Sequence, residues 1–178
     1  MRTRTKTTNM VLSAALLAIG MVLPFLTGQI QVIGNKISPM HLPVLICGYV
    51  CGWQYGLAVG IILPILRSLT FGMPPLMPTA AAMAVEMGVY GLMTGLLYAT
   101  LPKKNSSIYI SLIAAMILGR LAWGMASVVL YGLAGTGKVF TLPMFFTGAV
   151  INAVPALIIQ IILIPAIVIA LKKAKLMD

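Results

Sequence analysis

Residues 78–100 read Pro78-Thr-Ala-Ala-Ala-Met-Ala-Val-Glu86-Met-Gly-Val-Tyr90-Gly-Leu-Met-Thr-Gly-Leu-Leu-Tyr-Ala-Thr100, an apolar stretch in which Glu86 is the only charge. The stretch is long enough for a membrane-spanning helix, which needs about 20 mostly apolar residues. A carboxylate inside a membrane is costly unless it faces the interior of a bundle or a wet cavity. The stretch therefore predicts a transmembrane helix that carries a functional group on its inner face.

The whole chain has the composition of a membrane protein. Of its 178 residues 61% are hydrophobic and 8% are charged, whereas about 25% of an ordinary soluble domain is charged. The length suits one membrane domain over residues 1–178 and leaves no room for a separate soluble catalytic domain. The net charge of +10 lies mostly in the two tails and one loop, so it indicates membrane orientation and not binding of nucleic acid.

Turn-forming and charged segments divide the chain into six predicted transmembrane helices, which define an all-α bundle; five or seven helices remain open. The second and third are shorter than a full span, so one of them is expected to be tilted or re-entrant. The first apolar run lacks a small-residue cleavage pattern and is interpreted as a retained helix. The predicted helices cover residues 8–26, 39–51, 55–69, 78–100, 108–133 and 142–171.

The basic residues predict the orientation of this bundle. With six spans, both tails and the two even-numbered turns share one side, which holds Arg2, Arg4, Lys6, Lys103, Lys104, Lys172, Lys173 and Lys175. The other side holds Lys36 and Lys138. Because cytoplasmic loops are enriched in lysine and arginine, both termini are expected in the cytoplasm and the chain in the cell membrane.

Three charges inside apolar segments indicate a binding site. Arg67, Glu86 and Arg120 are one acid and two bases, and their local positive excess suits a small solute with an anionic group. The alternative is a set of structural ion pairs that join helices.

Further polar and aromatic residues accompany these charges in the half of the bundle expected to face outward. Tyr90 is one helical turn from Glu86, Trp123 is one turn from Arg120, and Asn152 lies on the sixth helix. His41 opens the second helix, where it could bind substrate, sense pH, ligate a metal or haem, or simply lie at the interface. If these faces converge, they form a polar, aromatic pocket open to the outside.

Enzyme signatures are weak in this sequence. The segment Gly132-Leu-Ala-Gly-Thr-Gly137-Lys138 begins like a phosphate-binding loop, but Val139 replaces the required serine or threonine. Cys47 and Cys51 are two thiols without further ligands, so they are expected to be packing residues and not a metal site. The sequence therefore predicts no catalytic residues, no bound metal and no cofactor.

Two segments carry a resemblance to a known family. The first helix contains Ala14-Ala-Leu-Leu-Ala18, an AxxxA motif, and the second contains Ser38-Pro-Met-His-Leu-Pro-Val-Leu-Ile-Cys-Gly48-Tyr-Val-Cys-Gly52. Together with the six short helices and the long loop after the first, they resemble the S-components of prokaryotic energy-coupling factor (ECF) vitamin transporters. The resemblance covers essentially the whole chain.

The resemblance implies a substrate-capture subunit without an ATPase of its own. Ala14 and Ala18 would dock on a transmembrane coupling subunit driven by two cytoplasmic ATPases, and the capture subunit would topple in the lipid bilayer. The loop with Gln29, Gln31 and Asn35 would be a lid over the pocket. The implied substrate is a vitamin: pantothenate is the first candidate, and folate, lipoate, biotin-like acids, a nucleobase-type vitamin and haem stay open.

Two other classes of function remain as alternatives. One is an autonomous secondary transporter with Glu86 as the proton carrier, although no inverted repeat relates the two halves of the chain. The other is a membrane enzyme or an accessory subunit.

Overall fold

The computed structural model describes residues 5–26, 38–133, 140–174 and 177. Over these residues the chain is helical and contains no strand. Five of the six helices are long and apolar enough to cross a membrane, and α2 is shorter, so the predicted all-α membrane bundle is confirmed. The helices are α1 (Lys6–Leu26), α2 (His41–Cys51), α3 (Trp53–Phe71), α4 (Leu76–Thr100), α5 (Asn105–Leu133) and α6 (Leu142–Lys173).

The junction between α2 and α3 is a single residue, Gly52. Its φ of 96° lies in a region that glycine adopts easily because it has no Cβ. The sequence predicts a turn that continues to Tyr55, whereas the structure begins α3 at Trp53. With 11 residues, α2 is roughly 16 Å long at 1.5 Å per residue, about half of the ~30 Å hydrocarbon layer.

Two hydrophobic clusters form the interior, and α2 and α4 contribute to both of them. One cluster joins α2 and α4 to α5 and α6, and includes Leu45, Tyr90, Leu112 and Ile164. The other joins α2 and α4 to α3, with residues of α1 packed against it, and is built around Val44, Leu63 and Met87. The α4 helix, which carries Glu86, therefore lies in the middle of the bundle.

Small residues allow α3 and α4 to approach closely. A methyl group on Gly56 would lie 2.5 Å from the carbonyl oxygen of Gly91, closer than atoms can pack. In lipid, such backbone contact replaces the hydrophobic driving force that holds helices together in water. This contact holds α4 against α3 at Gly91, which lies just over one helical turn after Glu86.

The last helix is divided into sections, although the sequence predicts a continuous helix over 142–171. A short helix (Leu142–Phe146) leads into a π-helical section (Thr147–Ile151), and regular helix resumes at Val154–Lys173. Pro155 lies in the first turn of the resumed helix, where the N–H that proline lacks would have no partner within the helix. Asn152 lies at this junction, where its N–H donates to the Thr147 carbonyl over 2.9 Å.

Candidate functional site

The Glu86 carboxylate on α4 is the centre of a buried polar group. Glu86 is 2% exposed, and its Oε1 lies 3.0 Å from Nη1 of Arg120 on α5. The Tyr90 hydroxyl, one turn further along α4, donates to the same oxygen over 3.0 Å. A buried carboxylate is tolerated when it is paired and hydrogen-bonded in this way, so Glu86 has the partners that its position demands.

His41, the first residue of α2, completes this group. Its Nε2 lies 3.8 Å from Glu86 Oε1, beyond hydrogen-bond reach, and its ring packs 5.4 Å from the Tyr90 ring centre. Neither ring nitrogen has a hydrogen-bond partner among the residues that the structure describes. We call His41, Glu86, Tyr90 and Arg120 the polar cluster; the structure brings these four predicted residues together.

The packing of α5 against α4 positions the polar cluster. A Cβ on Gly119 would overlap the Tyr90 ring, so the absence of a side chain there lets α5 approach α4. The next residue is Arg120, which reaches Glu86 as a result. The sequence spacing predicts Glu86 beside Tyr90, but it does not predict this contact between helices.

The polar cluster has unused hydrogen-bonding capacity. Nε of Arg120 and both ring nitrogens of His41 are buried. None of these three atoms has a hydrogen-bond partner within the described chain. A buried donor or acceptor left unpaired costs about 1–3 kcal/mol. These groups are therefore suited to contact a solute that carries an anionic or hydrogen-bonding group. Across the described ranges, no three His, Cys, Asp or Glu side chains lie close enough to share a metal ion.

Arg67 is buried near the end of α3, and its contacts are with other residues. Its Nη1 donates to the Met21 carbonyl of α1 over 2.6 Å, and its guanidinium lies 5.1 Å from the Phe25 ring centre and 5.4 Å from that of Phe71. These contacts join α1 to α3. The sequence predicts two arginines beside Glu86, whereas the polar cluster contains one, Arg120, which pairs with Glu86.

The contacts of Arg67 lead to a stability prediction. We expect Arg67→Met to lower the free energy of unfolding by about 2 kcal/mol, because a hydrogen bond from a charged donor is worth about 1.5–3 kcal/mol. Thermal unfolding of the purified protein in detergent measures this, with Thr70→Val as the control, since Thr70 is exposed and donates only to carbonyls of its own helix. Loss of ligand binding at an unchanged melting temperature would instead place Arg67 at the substrate.

The surroundings of Trp123 and Asn152 differ from those of the four residues in the polar cluster. Trp123, one turn after Arg120, contacts Phe140 edge-on at 5.4 Å and stacks with Phe145 at 6.2 Å between ring centres. Asn152 is exposed. Contact of Arg67, Trp123 and Asn152 with substrate stays a prediction, and the lid residues Gln29, Gln31 and Asn35 fall outside the described residues.

Gln160 is a buried polar residue that the sequence reasoning missed. It is 1% exposed within α6, and neither its Oε1 nor its Nε2 has a hydrogen-bond partner in the described part of the chain. The signal was present, because Gln160 is the only polar residue between Val154 and Leu171. A polar residue in such a segment marks a functional position.

The AxxxA face of α1 is unoccupied by the rest of the bundle. Ala14 and Ala18 are exposed, as are Val11 and Val22 on the same side of the helix. The opposite side of α1, with Leu12, Leu16 and Met21, packs against the interior. Ala14 and Ala18 thus belong to a broad exposed apolar face of α1, which a partner helix or lipid could contact.

An all-helical bundle with five helices long and apolar enough to cross a membrane is typical of a multi-pass membrane protein. A family model described as the substrate-specific component of ECF transporters matches residues 8–172. The chain belongs to this family, which confirms the resemblance noted from its sequence. It is accordingly a multi-pass, substrate-binding transport subunit and not an enzyme. No curated protein and no solved structure matches the chain.

Proposed function

We propose that this subunit captures a small anionic vitamin from outside a prokaryotic cell, with pantothenate as the first candidate. It then delivers the vitamin by docking on the coupling subunit of an ECF transporter, which two cytoplasmic ATPases drive. The family supports the vitamin-type substrate and the coupling subunit with its ATPases in general terms. The particular substrate and the docking surface are our proposal.

The observation that carries the proposal is the buried Nε of Arg120, which has no hydrogen-bond partner among the residues that the structure describes. A guanidinium has five N–H donors, and the Glu86 contact at 3.0 Å uses one nitrogen. A substrate carboxylate beside Arg120 would place a second negative charge close to Glu86. The His41 ring, whose Nε2 lies 3.8 Å from Glu86, would offer a further hydrogen-bonding group beside the two carboxylates.

Pantothenate suits such a cluster because its carboxylate is at one end of a chain that also carries an amide and hydroxyl groups. Tyr90 and Arg120 would orient the polar groups, and Trp123 would cover the apolar part from the outer side. Folate, lipoate, biotin-like acids, nucleobase-type vitamins and haem are the other ligands to compare. In each case Arg67 and Asn152 are proposed secondary contacts, and the loop with Gln29, Gln31 and Asn35 is the proposed lid.

The delivery step rests on the exposed face of α1. With both termini in the cytoplasm, as the distribution of lysine and arginine predicts, Ala14 would lie in the cytoplasmic half of α1 and Ala18 just past its middle. Alanine allows close helix contact in lipid without burying a large side chain. The coupling subunit would use this face, while the polar cluster on the other side of α2 holds the substrate.

Reconstitution into lipid vesicles tests this function. We expect ATP-dependent uptake of radiolabelled pantothenate when the subunit is reconstituted with its coupling subunit and ATPases, and none when this subunit is omitted. The subunit alone should take up nothing under an imposed proton gradient. Gradient-driven uptake without the ATPases would contradict the proposal and favour an autonomous transporter that uses Glu86.

A further inference from the structure

The strongest unexplained feature of the bundle is the side chain of Gln160. A carboxamide offers two donors and one acceptor, and among the described residues none of these is used. At 1% exposure bulk water does not satisfy them either. Such a group lowers stability, so its presence calls for a partner outside the described chain.

Gln160 lies on the interior face of α6. Leu157 and Ile161 flank it in the helix, and both pack against the cluster that contains Tyr90 and Leu45. Ile164, one turn further on, belongs to that cluster. Leu42, the residue after His41, packs against it too, so Gln160 and the polar cluster border the same core.

A second unpaired polar atom lies on the helix next to α6. Ser127 of α5 is fully buried, and its hydroxyl has no partner within the described ranges. Ser127 is two helical turns beyond Arg120, so the two residues share a face of α5. Besides the polar cluster, the interior therefore has two buried uncharged side chains, Gln160 and Ser127, whose polar atoms have no partner within the described ranges.

We propose that Gln160 is a specificity-determining residue that hydrogen-bonds an uncharged amide, ureido or hydroxyl group of the solute. This inference rests on the proposed function and narrows its substrate class. The solute carries an anionic group for Arg120 and, separately, a neutral donor and acceptor for Gln160. Pantothenate and biotin meet this description, whereas lipoate, whose tail has no such group, does not.

The first test needs no ligand. If the Gln160 side chain serves to bind a ligand, replacing it should stabilise the ligand-free protein. Gln160→Met retains the shape of the side chain and removes its polar atoms. It should therefore raise the melting temperature of the washed, ligand-free protein. Gln54→Met is the matched control, because Gln54 is an exposed glutamine near the start of α3 and its replacement should change nothing. A lower melting temperature for Gln160→Met would overturn the proposal, since Gln160 would then be a structural hydrogen-bonding residue.

The second test measures equilibrium binding of pantothenate and of lipoate to both proteins. We expect the wild type to prefer pantothenate, and Gln160→Met to bind pantothenate roughly tenfold more weakly, because a buried group left unpaired costs on the order of 1–3 kcal/mol. Unchanged pantothenate affinity in Gln160→Met, or equal wild-type affinity for lipoate, would overturn the role of Gln160. If the wild type binds neither probe, the proposal of pantothenate fails. The melting temperature of Gln160→Met still decides whether the Gln160 side chain serves ligand binding or stability.

Discussion

Arg120→Met is expected to abolish measurable binding of pantothenate to the purified subunit. Removing one partner of a buried, hydrogen-bonded charge pair costs about 2–5 kcal/mol, which corresponds to a loss of affinity of roughly 30-fold to several thousand-fold. The loss has two sources: the donors for the substrate anion disappear, and Glu86 repels that anion once its cation at 3.0 Å is removed. Isothermal titration calorimetry in detergent measures the change.

The same substitution also affects folding, so two further variants are needed. Leaving Glu86 buried without its ion-pair partner costs about 3–5 kcal/mol of stability. The double variant Glu86→Gln/Arg120→Met removes both charges and should recover most of the melting temperature but none of the binding. Arg120→Lys keeps the charge and should retain partial affinity. If the double variant bound pantothenate like the wild type, Glu86 and Arg120 would be a structural ion pair only.

Ala14→Trp is expected to stop transport and leave substrate binding unchanged. The side chain at this position is exposed, so a larger residue does not disturb the packing of α1 against α2 and α3. Close approach of another helix, in contrast, requires a small residue. ATP-dependent uptake in reconstituted vesicles should fall to the level without the subunit, and the same holds for Ala18→Trp.

Ala166→Trp is the matched control for these two variants. Ala166 is also an exposed alanine in a membrane-spanning helix, but it lies on α6. The Ala166→Trp variant should therefore keep both substrate binding and ATP-dependent uptake. Normal uptake by both Ala14→Trp and Ala18→Trp would show that α1 does not dock through this face, although the substrate site would be unaffected.

The buried charges show how far sequence reasoning reaches in this protein. The pairing of Glu86 with Tyr90 follows from helical spacing alone, since residues four apart share a face. The contact of Glu86 with Arg120 depends on where Gly119 lets α5 meet α4, and this close approach is a tertiary property. Arg67, like Arg120, is an arginine within an apolar segment, but tertiary packing places its guanidinium against the Met21 carbonyl.

Two other differences between the sequence-based predictions and the structure have local causes. The sequence predicts a continuous sixth helix because its residues are uniformly apolar. The structure interrupts this helix before Val154 and has Pro155 in the first turn of the resumed helix, a feature that hydropathy does not register. A neutral amide in an apolar segment is a weaker sequence signal than a charge, so Gln160 does not stand out before the fold is known. Its burial and its lack of a partner among the described residues become visible only in the folded bundle.

Native mass spectrometry tests most directly whether the polar cluster binds a solute. The wild-type subunit, incubated with pantothenate, folate, biotin and lipoate together and then released from detergent, should carry one bound small molecule. The Glu86→Gln/Arg120→Met variant, treated in the same way, should carry none. A wild type without any bound mass, or a variant that retains the same molecule at the same occupancy, would contradict the account.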